Sequence, residues 1–348
     1  MTGWSRFVSE ILLAALALVI GLSLGGWLAY AAGESPWRVI EIIVTGAFGS
    51  GYDRGMVIYF AGILIATGLA VALPFQVGVF NIGGEGQTLM GALAAGVIGA
   101  YAPESWPHWA AVSAAFVGAV LTAGLWGSIA GGIRAFRGGH EVIGSIMLNF
   151  IAAGITGWLV VGKLQAPDSQ NPEMKVIGEV FKLHRFGAYN GAPATTAALV
   201  ALIMAFLFWL VLEKTPAGLR IKTVRQSPDA AVVAGYDPAK VRFWAFTSGA
   251  AMCGLAGAVM VLGESWRFRL EISDGFGFLG IPVALLGRGR PLGVVVSAIL
   301  FAVLHHGASS LDIESTKVGR DLAQVIEAVV VLSVISLPPM VRGLRKWL

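Results

Sequence analysis

Charged side chains are scarce in this sequence. Asp, Glu, Lys and Arg make up 13% of its 348 residues, against about 25% in soluble domains. Hydrophobic residues reach 56%, and the mean hydropathy is +0.77. A soluble fold has no place for so much apolar surface, so a soluble protein is excluded. We expect residues 1–348 to form a single membrane domain.

Cysteine and motifs for catalysis are also missing. The single cysteine, Cys253, excludes an intramolecular disulfide, and it has no Cys or His partner at metal-ligand spacing. His140 and Glu141 begin like the zinc-protease motif, but Gly144 stands where the second His is required. No metal site is therefore predicted. No credible nucleophile and base pair with an oxyanion site occurs, so we do not expect an enzyme.

Phosphate-binding loops are absent too. The pattern G-x-x-x-x-G-K-[ST] occurs nowhere in the chain, so any ATP that drives its activity must bind to another polypeptide. We expect no cofactor in this chain.

Long apolar runs are what the sequence has in abundance. At about 20 residues per crossing, they predict an all-α polytopic protein with ten transmembrane helices. The runs are 11–32, 56–73, 82–101, 109–132, 142–162, 194–212, 242–263, 277–287, 291–307 and 323–341.

The distribution of basic residues predicts the orientation. Most of the 24 Lys and Arg residues fall in segments that are cytoplasmic if the N-terminus is cytoplasmic, which the positive-inside rule favours. Both termini are then cytoplasmic. Five crossings per half would insert a duplicated unit in opposite orientations, as in the inverted repeats of transporters. The glycine-interrupted segments Phe80–Gln87 and Gly275–Gly280 stand at corresponding places in the two halves, which is typical of a midplane pathway.

Polar residues at membrane depth mark a candidate pathway. A carboxylate near the bilayer centre is costly, so Glu85 should face a water-filled cavity, a polar ligand or a partner. Neighbouring glycines allow the backbone to unwind and line a path. The alternative is that the glycines pack helices together while Glu85, Gln87 and Asn149 bond neighbouring helices. The candidate pathway residues are Asn81, Gly83, Gly84, Glu85, Gln87 and Asn149.

A second candidate site is a short helix at about 227–235 in the inside connection 213–241. Ser227 can cap the helix, Pro228 suits its first position, and Gly235 can end it in a left-handed conformation. We interpret it as a docking knob for a soluble partner, although an ordinary capped surface turn has the same pattern. The candidate contact residues are Ser227, Asp229, Ala230, Ala231 and Gly235.

Several segments together resemble a known family, the permease subunits of ABC importers in the branched-chain amino acid and simple sugar group. The similarity is greatest to the nucleoside-type branch. The segments are FNIGGEGQ at 80–87, HEVIGSIMLNFIA at 140–152, TPAGLRIKTVRQSPDAAVVAGYD at 215–237, SGAAMCGLAGAVMVLG at 248–263 and LLGRGRPLGVVVSAILFAVLHHGA at 285–308.

The resemblance implies an inverted-repeat permease in a bacterial inner membrane. It implies a second permease chain, usually a different but related one, two ABC ATP-binding subunits that use ATP and Mg, and an extracytoplasmic substrate-binding lipoprotein. Asp229, Ala230 and Ala231 with Gly235 are similar to the family's E-A-A-x-x-x-G coupling helix, with Asp in place of Glu.

The solute implied by the branch is a nucleoside, and a sugar or riboflavin stays open. A self-sufficient secondary transporter or channel is the alternative from another class, because Glu85 lies within the membrane and the inverted repeat is common to many transporters.

Overall fold

The computed structural model describes residues 19–21, 23–31, 33–314, 325, 328–329, 332–333 and 336. The predicted crossing at 11–32 is helical where it is described, at 19–21 and 23–31. The predicted crossing at 323–341 lies largely outside the described residues, as do both chain ends. Within 33–314, β-pairing is limited to three isolated bridges, and the all-α prediction is confirmed. The helices are α1 Pro36–Phe48, α2 Gly51–Phe75, α3 Gly84–Tyr101, α4 His108–Arg137, α5 Glu141–Gly162, α6 Ala197–Lys214, α7 Pro216–Gln226, α8 Pro228–Val233, α9 Pro238–Val259, α10 Phe276–Leu286, α11 Pro291–Ser309 and α12 Leu311–Glu314.

Six of these helices are long and apolar enough to cross a bilayer, namely α2, α4, α5, α6, α9 with its π-helical extension to Ser265, and α11. Every predicted run between residues 56 and 307 coincides with a helix, which confirms a multi-pass membrane protein. The run at 277–287 is helix α10, which has 11 residues. At 1.5 Å per residue it spans about 16 Å, roughly half of the hydrocarbon core.

One compact unit comprises Tyr59–Gly187 and Pro193–Ala298. Its centre is the packing of α3, α4 and α9 through small residues. A Cβ added to Gly91 would lie 2.7 Å from Cα of Gly254, so the backbones of α3 and α9 touch there. Close approach of this kind is how membrane helices gain packing energy without a hydrophobic driving force between them. The alanines of α4 on this seam are fully buried and recur every fourth residue, at Ala111, Ala115, Ala119 and Ala123.

The connection after α5 folds back onto the end of α9. The Met174 N–H donates to the Phe268 carbonyl at 2.8 Å, and the Leu183 N–H donates to the Leu262 carbonyl at 2.9 Å. These bonds satisfy the backbone of a long connection that has only short 3₁₀ turns of its own. The connection is therefore an ordered cap rather than a free loop.

The other compact unit comprises Met1–Ile58, Ala188–Ala192 and Ile299–Leu348. It contains α1, a helix that the search for long apolar runs did not predict, because its 13 residues include Arg38 and Glu41. Its buried residues recur with helical spacing, which is the signal that identifies it. The small core of this unit consists of Ala29, Val39, Ile42, Ile43 and Leu311.

Candidate functional site

The two glycine-interrupted segments singled out in the sequence meet in the structure. Helix α3 begins at Gly84 and helix α10 at Phe276. A Cβ added to Gly84 would lie 2.6 Å from the Gly277 carbonyl oxygen, and one added to Gly277 would overlap the backbone of Glu85. Real Cβ atoms do not approach this closely, so the contact between the two helix N-termini requires glycine at both positions.

The Glu85 carboxylate joins these two helices. Its Oε1 accepts hydrogen bonds from the Ser273 hydroxyl at 2.5 Å and from the Gly275 N–H at 3.2 Å, and its Oε2 accepts from the Gly277 N–H at 3.0 Å. The side chain is partly buried. It therefore meets polar partners, as the sequence analysis required of a carboxylate at this depth.

Two helix dipoles act on this carboxylate. Glu85 lies in the first turn of α3, and its oxygens accept from backbone N–H groups at the start of α10. Helix N-termini carry a partial positive charge that stabilises anions by about 0.3–1 kcal/mol each. Hydrogen bonds to a charged group contribute about 1.5–3 kcal/mol each. Together these interactions offset the cost of placing a carboxylate within a membrane protein.

Asn81 and Gln87 form a reciprocal amide pair. The Asn81 amide donates to Gln87 Oε1 at 2.9 Å, and the Gln87 amide donates to Asn81 Oδ1 at 3.0 Å. Asn81 Oδ1 also accepts from the Gly83 N–H at 3.0 Å. The two side chains are 0% and 1% exposed. Their polar groups are thus engaged in holding the extended segment before α3, which favours the packing interpretation for these two residues.

Asn149 clamps the same segment from α5. Its amide nitrogen donates to the Ile82 carbonyl at 3.0 Å, and its Oδ1 accepts from the Gly86 N–H at 2.9 Å. Gly86 also makes room for it, because a Cβ there would lie 2.9 Å from Asn149 Oδ1. Asn149 therefore fixes the backbone on both sides of the start of α3.

A cavity of about 510 Å³ opens beside Glu85 and Asn149. This volume is within the range of small-molecule sites. The cavity brings together two of the six predicted pathway residues and adds two aromatic rings and two further carboxylates that the sequence analysis did not identify. The additions are Phe150, Glu271, Asp274 and Phe278.

The second candidate site, helix α8, has the predicted caps. The Ser227 hydroxyl accepts from the Ala230 N–H at 3.2 Å, and Pro228 occupies the first turn. After the helix, Gly235 has φ +77°, a left-handed conformation that only glycine adopts without strain. Asp237 then caps α9 by accepting from the Ala239 and Lys240 N–H groups.

These cap bonds act on the ionisation of Asp237. The hydrogen bond from the Lys240 N–H is the main cause that lowers the pKa of Asp237 below its ordinary value.

The candidate contact residues of α8 differ in their exposure. Ala231 is fully buried, so it packs against its own chain and is not exposed for contact with a partner. The following residues, Val232 and Val233, are 60% and 91% exposed. An apolar tip of this kind was not recognised in the sequence because the helical phase of a six-residue segment was unknown.

Comparison with known proteins gives the family. The sequence model of one protein family, the permease component of the branched-chain amino acid transport system, matches residues 54–335. The chain belongs to this permease family.

Individual relatives show which branch of the family the chain resembles. The permease is 32% identical over 342 residues to the guanosine ABC transporter permease protein NupP of Bacillus subtilis, which covers 94% of each chain. It is 30% identical over 329 residues to a glucose ABC transporter permease protein of Haloferax volcanii, covering 92% of this chain and 86% of the other. A second Bacillus subtilis guanosine permease protein, NupQ, is 27% identical over 257 residues, or 70% and 77% of the two chains. The resemblance to the nucleoside-type branch is confirmed.

Helix α7 connects the α8 region of the permease to α2. Arg225 donates to the Phe75 carbonyl at 2.7 Å, and its guanidinium lies 4.9 Å from the Phe75 ring. Phe75 is the last residue of α2, where orphan carbonyls and the negative end of the dipole favour a cation. The next residue, Gln76, donates to the Gly289 carbonyl at 2.7 Å. The segment before α8 is therefore bonded directly to the start of the 76–83 connection.

Glu141, which follows His140 in the incomplete zinc-protease motif, makes a structural contact in the permease. Glu141, at the start of α5, pairs with Arg134 near the end of α4 at 3.1 Å. Among the described residues, no three His, Cys, Asp or Glu side chains are grouped so that they could hold a metal ion.

Proposed function

We propose that the permease imports a nucleoside as one of two membrane chains of an ATP-driven transporter in a bacterial inner membrane. An extracytoplasmic lipoprotein delivers the solute, and partner subunits bind ATP with Mg and hydrolyse it. The permease itself has no ATPase site. The observation that carries the ATP-driven assembly is the exposed apolar tip of α8. The solute rests on the similarity to the guanosine permease NupP.

This tip has the character of a docking surface. Val233 is 91% exposed at the end of a helix whose N-terminus is fixed by Ser227, while Ala231 holds the helix against its own chain. An exposed valine pair outside the spanning helices is stabilised when a partner covers it. We infer that the ATP-binding subunit covers Val232 and Val233, and that Asp229, Ala230 and Gly235 shape the same knob.

Motion of α8 has a direct route to the candidate pathway. Arg225 bonds the end of α2, and Asn81 donates to the Ala70 carbonyl within α2 at 3.3 Å. Asn81 in turn accepts a hydrogen bond from the Gly83 N–H and so holds the segment that leads into α3 and Glu85. We propose that displacement of α8 by the ATPase shifts this segment and changes access to the cavity at Glu85.

The cavity suits a nucleoside. Glu85 offers hydrogen-bond acceptors to hydroxyl and amino groups, and Phe150 and Phe278 offer apolar faces to a flat base. The similarity to the guanosine permease of Bacillus subtilis supports this solute. Glucose is a second candidate, because the Haloferax volcanii relative is a glucose ABC transporter permease protein and sugar hydroxyls would meet the same acceptors. Asn149, Asn81, Gln87 and the glycines 83 and 84 support the wall of the path in this proposal.

The second membrane chain is proposed to be a different but related permease. Two guanosine permease proteins of one organism, Bacillus subtilis, both resemble this chain, at 32% and 27% identity. A pair of unlike chains would explain that observation.

Copurification tests the assembly. The tagged chain, isolated from its native membrane, should bring an ATP-binding subunit, a second permease and a lipoprotein. Val233→Asp should release the ATP-binding subunit while the second permease stays bound, because the change affects only the exposed tip. Gln226→Ala changes an exposed residue at the end of the preceding helix α7 and is the matched control. It should retain both the ATP-binding subunit and the second permease. A chain that isolates alone and supports ion-driven uptake in liposomes would instead establish a secondary transporter.

Uptake by the reconstituted complex tests the solute. We expect ATP-dependent uptake of labelled guanosine that excess adenosine or uridine reduces and excess glucose does not. Inhibition by glucose alone would move the assignment to the sugar candidate, and inhibition by riboflavin alone would reject both.

A further inference from the structure

A second cavity, separate from the one at Glu85, lies between α2, α6, α7 and α9. It measures about 710 Å³. Its wall is apolar over most of its surface, with Leu69, Leu73, Met204, Leu207, Phe208 and Val211 among the lining residues. Leu207 and Val211 are 41% and 37% exposed, so the cavity is an open groove.

The mouth of this groove is basic. Arg220 and Lys240 line it and are both exposed. Among the described residues, Arg220 has no carboxylate within ion-pair distance, and its guanidinium lies 5.6 Å from the Tyr236 ring. The one acidic residue of the lining, Asp237, is occupied as the cap of α9. Its contact with the Lys240 ammonium, at 3.5 Å between exposed side chains, is a weak surface pair.

The groove lies where a membrane–water boundary is expected. Its apolar walls belong to the ends of α2 and α6 and the start of α9, and its basic residues belong to the 213–241 connection that the positive-inside rule places in the cytoplasm. Trp244, also in the lining, is 62% exposed, and aromatic rings of this kind favour the interface. Anionic lipids give the cytoplasmic leaflet a negative surface potential that attracts basic residues near the membrane.

We propose that this groove binds an anionic phospholipid of the cytoplasmic leaflet. An acyl chain lies along the apolar wall, and the phosphate is held by Arg220 and Lys240. The guanidinium is suited to phosphate because its donors form a planar fork. A zwitterionic lipid would fill the same wall and present the same phosphate, but its own ammonium group would weaken the attraction to the two cations. The head group would lie against Tyr236, directly after α8, so the site adjoins the proposed coupling segment without depending on its role.

Competitive lipid binding tests the proposal on the complex as purified. The complex is delipidated in detergent and offered equal amounts of phosphatidylglycerol and phosphatidylethanolamine with identical acyl chains, and the retained lipids are counted by native mass spectrometry. We expect phosphatidylglycerol to be preferred. The double variant Arg220→Gln, Lys240→Gln should lower this preference at least about fivefold, since a basic residue near an anionic surface contributes about that factor.

A matched control separates the groove from general surface charge. Lys214→Gln removes a basic residue at the end of α6 that does not line the groove, and its preference should stay within about twofold of the unmodified complex. Ser248→Phe narrows the groove and should reduce the retention of both lipids. Equal retention of the two lipids, a preference that survives the double variant, or unchanged retention in Ser248→Phe would each overturn the proposal. Cross-linking of Leu207→Cys to a protein subunit in native membranes would assign the groove to that protein and would also overturn it.

Discussion

Replacing Glu85 by Gln tests the junction of the two half-helices. The carboxylate accepts three hydrogen bonds, from Ser273, Gly275 and Gly277. A glutamine keeps one acceptor oxygen and turns an NH₂ group toward at least one backbone N–H. Charge-assisted bonds are stronger than neutral ones by about 1 kcal/mol each, so the loss is about 3 kcal/mol. We expect an apparent Tm about 6–12 °C lower, by a slope of about 2–4 °C per kcal/mol, and reduced uptake by a complex that still assembles.

The chain supplies its own probe for this measurement. Cys253 is its only cysteine and is 0% exposed, so a thiol-reactive fluorophore reports unfolding of the purified chain. Ser273→Ala is the matched control, because it removes one of the three donors and keeps the charge, and it should lower Tm by less than Glu85→Gln does. A Glu85→Gln variant whose Tm lies within 1 °C of the parent, or whose uptake is unchanged, would refute the reasoning.

Three further predictions concern packing, coupling and pH. Gly277→Ala should prevent stable folding or lower Tm by more than Glu85→Gln, because its Cβ overlaps the backbone of Glu85, whereas Gly154→Ala, which meets nothing within 4 Å, should leave Tm unchanged or higher. Ala231→Leu overpacks a fully buried position, at a cost of about 1–3 kcal/mol, and should give ATP hydrolysis without solute uptake; full coupling would contradict this. The lowered pKa of Asp237 means that its cap stabilises the fold above the ordinary Asp pKa and loses this effect as pH falls through the lowered value. The Tm difference between the parent and Asp237→Asn, followed by tryptophan fluorescence, should therefore shrink between about pH 5 and pH 3, and a constant difference would argue against it.

Local chemistry made much of the fold predictable. The apolar runs located the spanning helices, and the caps of α8 could be assigned because Ser227, Pro228 and Gly235 act within a few residues of one another. The short length of α10 was likewise visible in its sequence. Patterns formed by residues close together in the sequence can be recognised without knowledge of the tertiary structure.

Contacts between distant residues were beyond such reasoning. That Glu85 needs a polar partner follows from its cost in a membrane, but that the partner is Gly277, 192 residues away, does not. The same holds for Asn81, whose bond to Gln87 depends on how the segment before α3 bends. The burial of Ala231 depends on which face of a six-residue helix meets its own chain, and no periodicity exists over so short a length.

The short length of α10 has a consequence for how the protein is made. An 11-residue apolar segment is too short for the translocon to insert as an independent spanning helix. Glu85 leaves the ribosome 192 residues before its partner Gly277, which at about 5–20 residues per second is a delay of roughly 10–40 s. During biogenesis the nascent chain therefore holds the Glu85 carboxylate without its partners on α10. The late docking of α10 onto α3 is the step that supplies these hydrogen-bond donors.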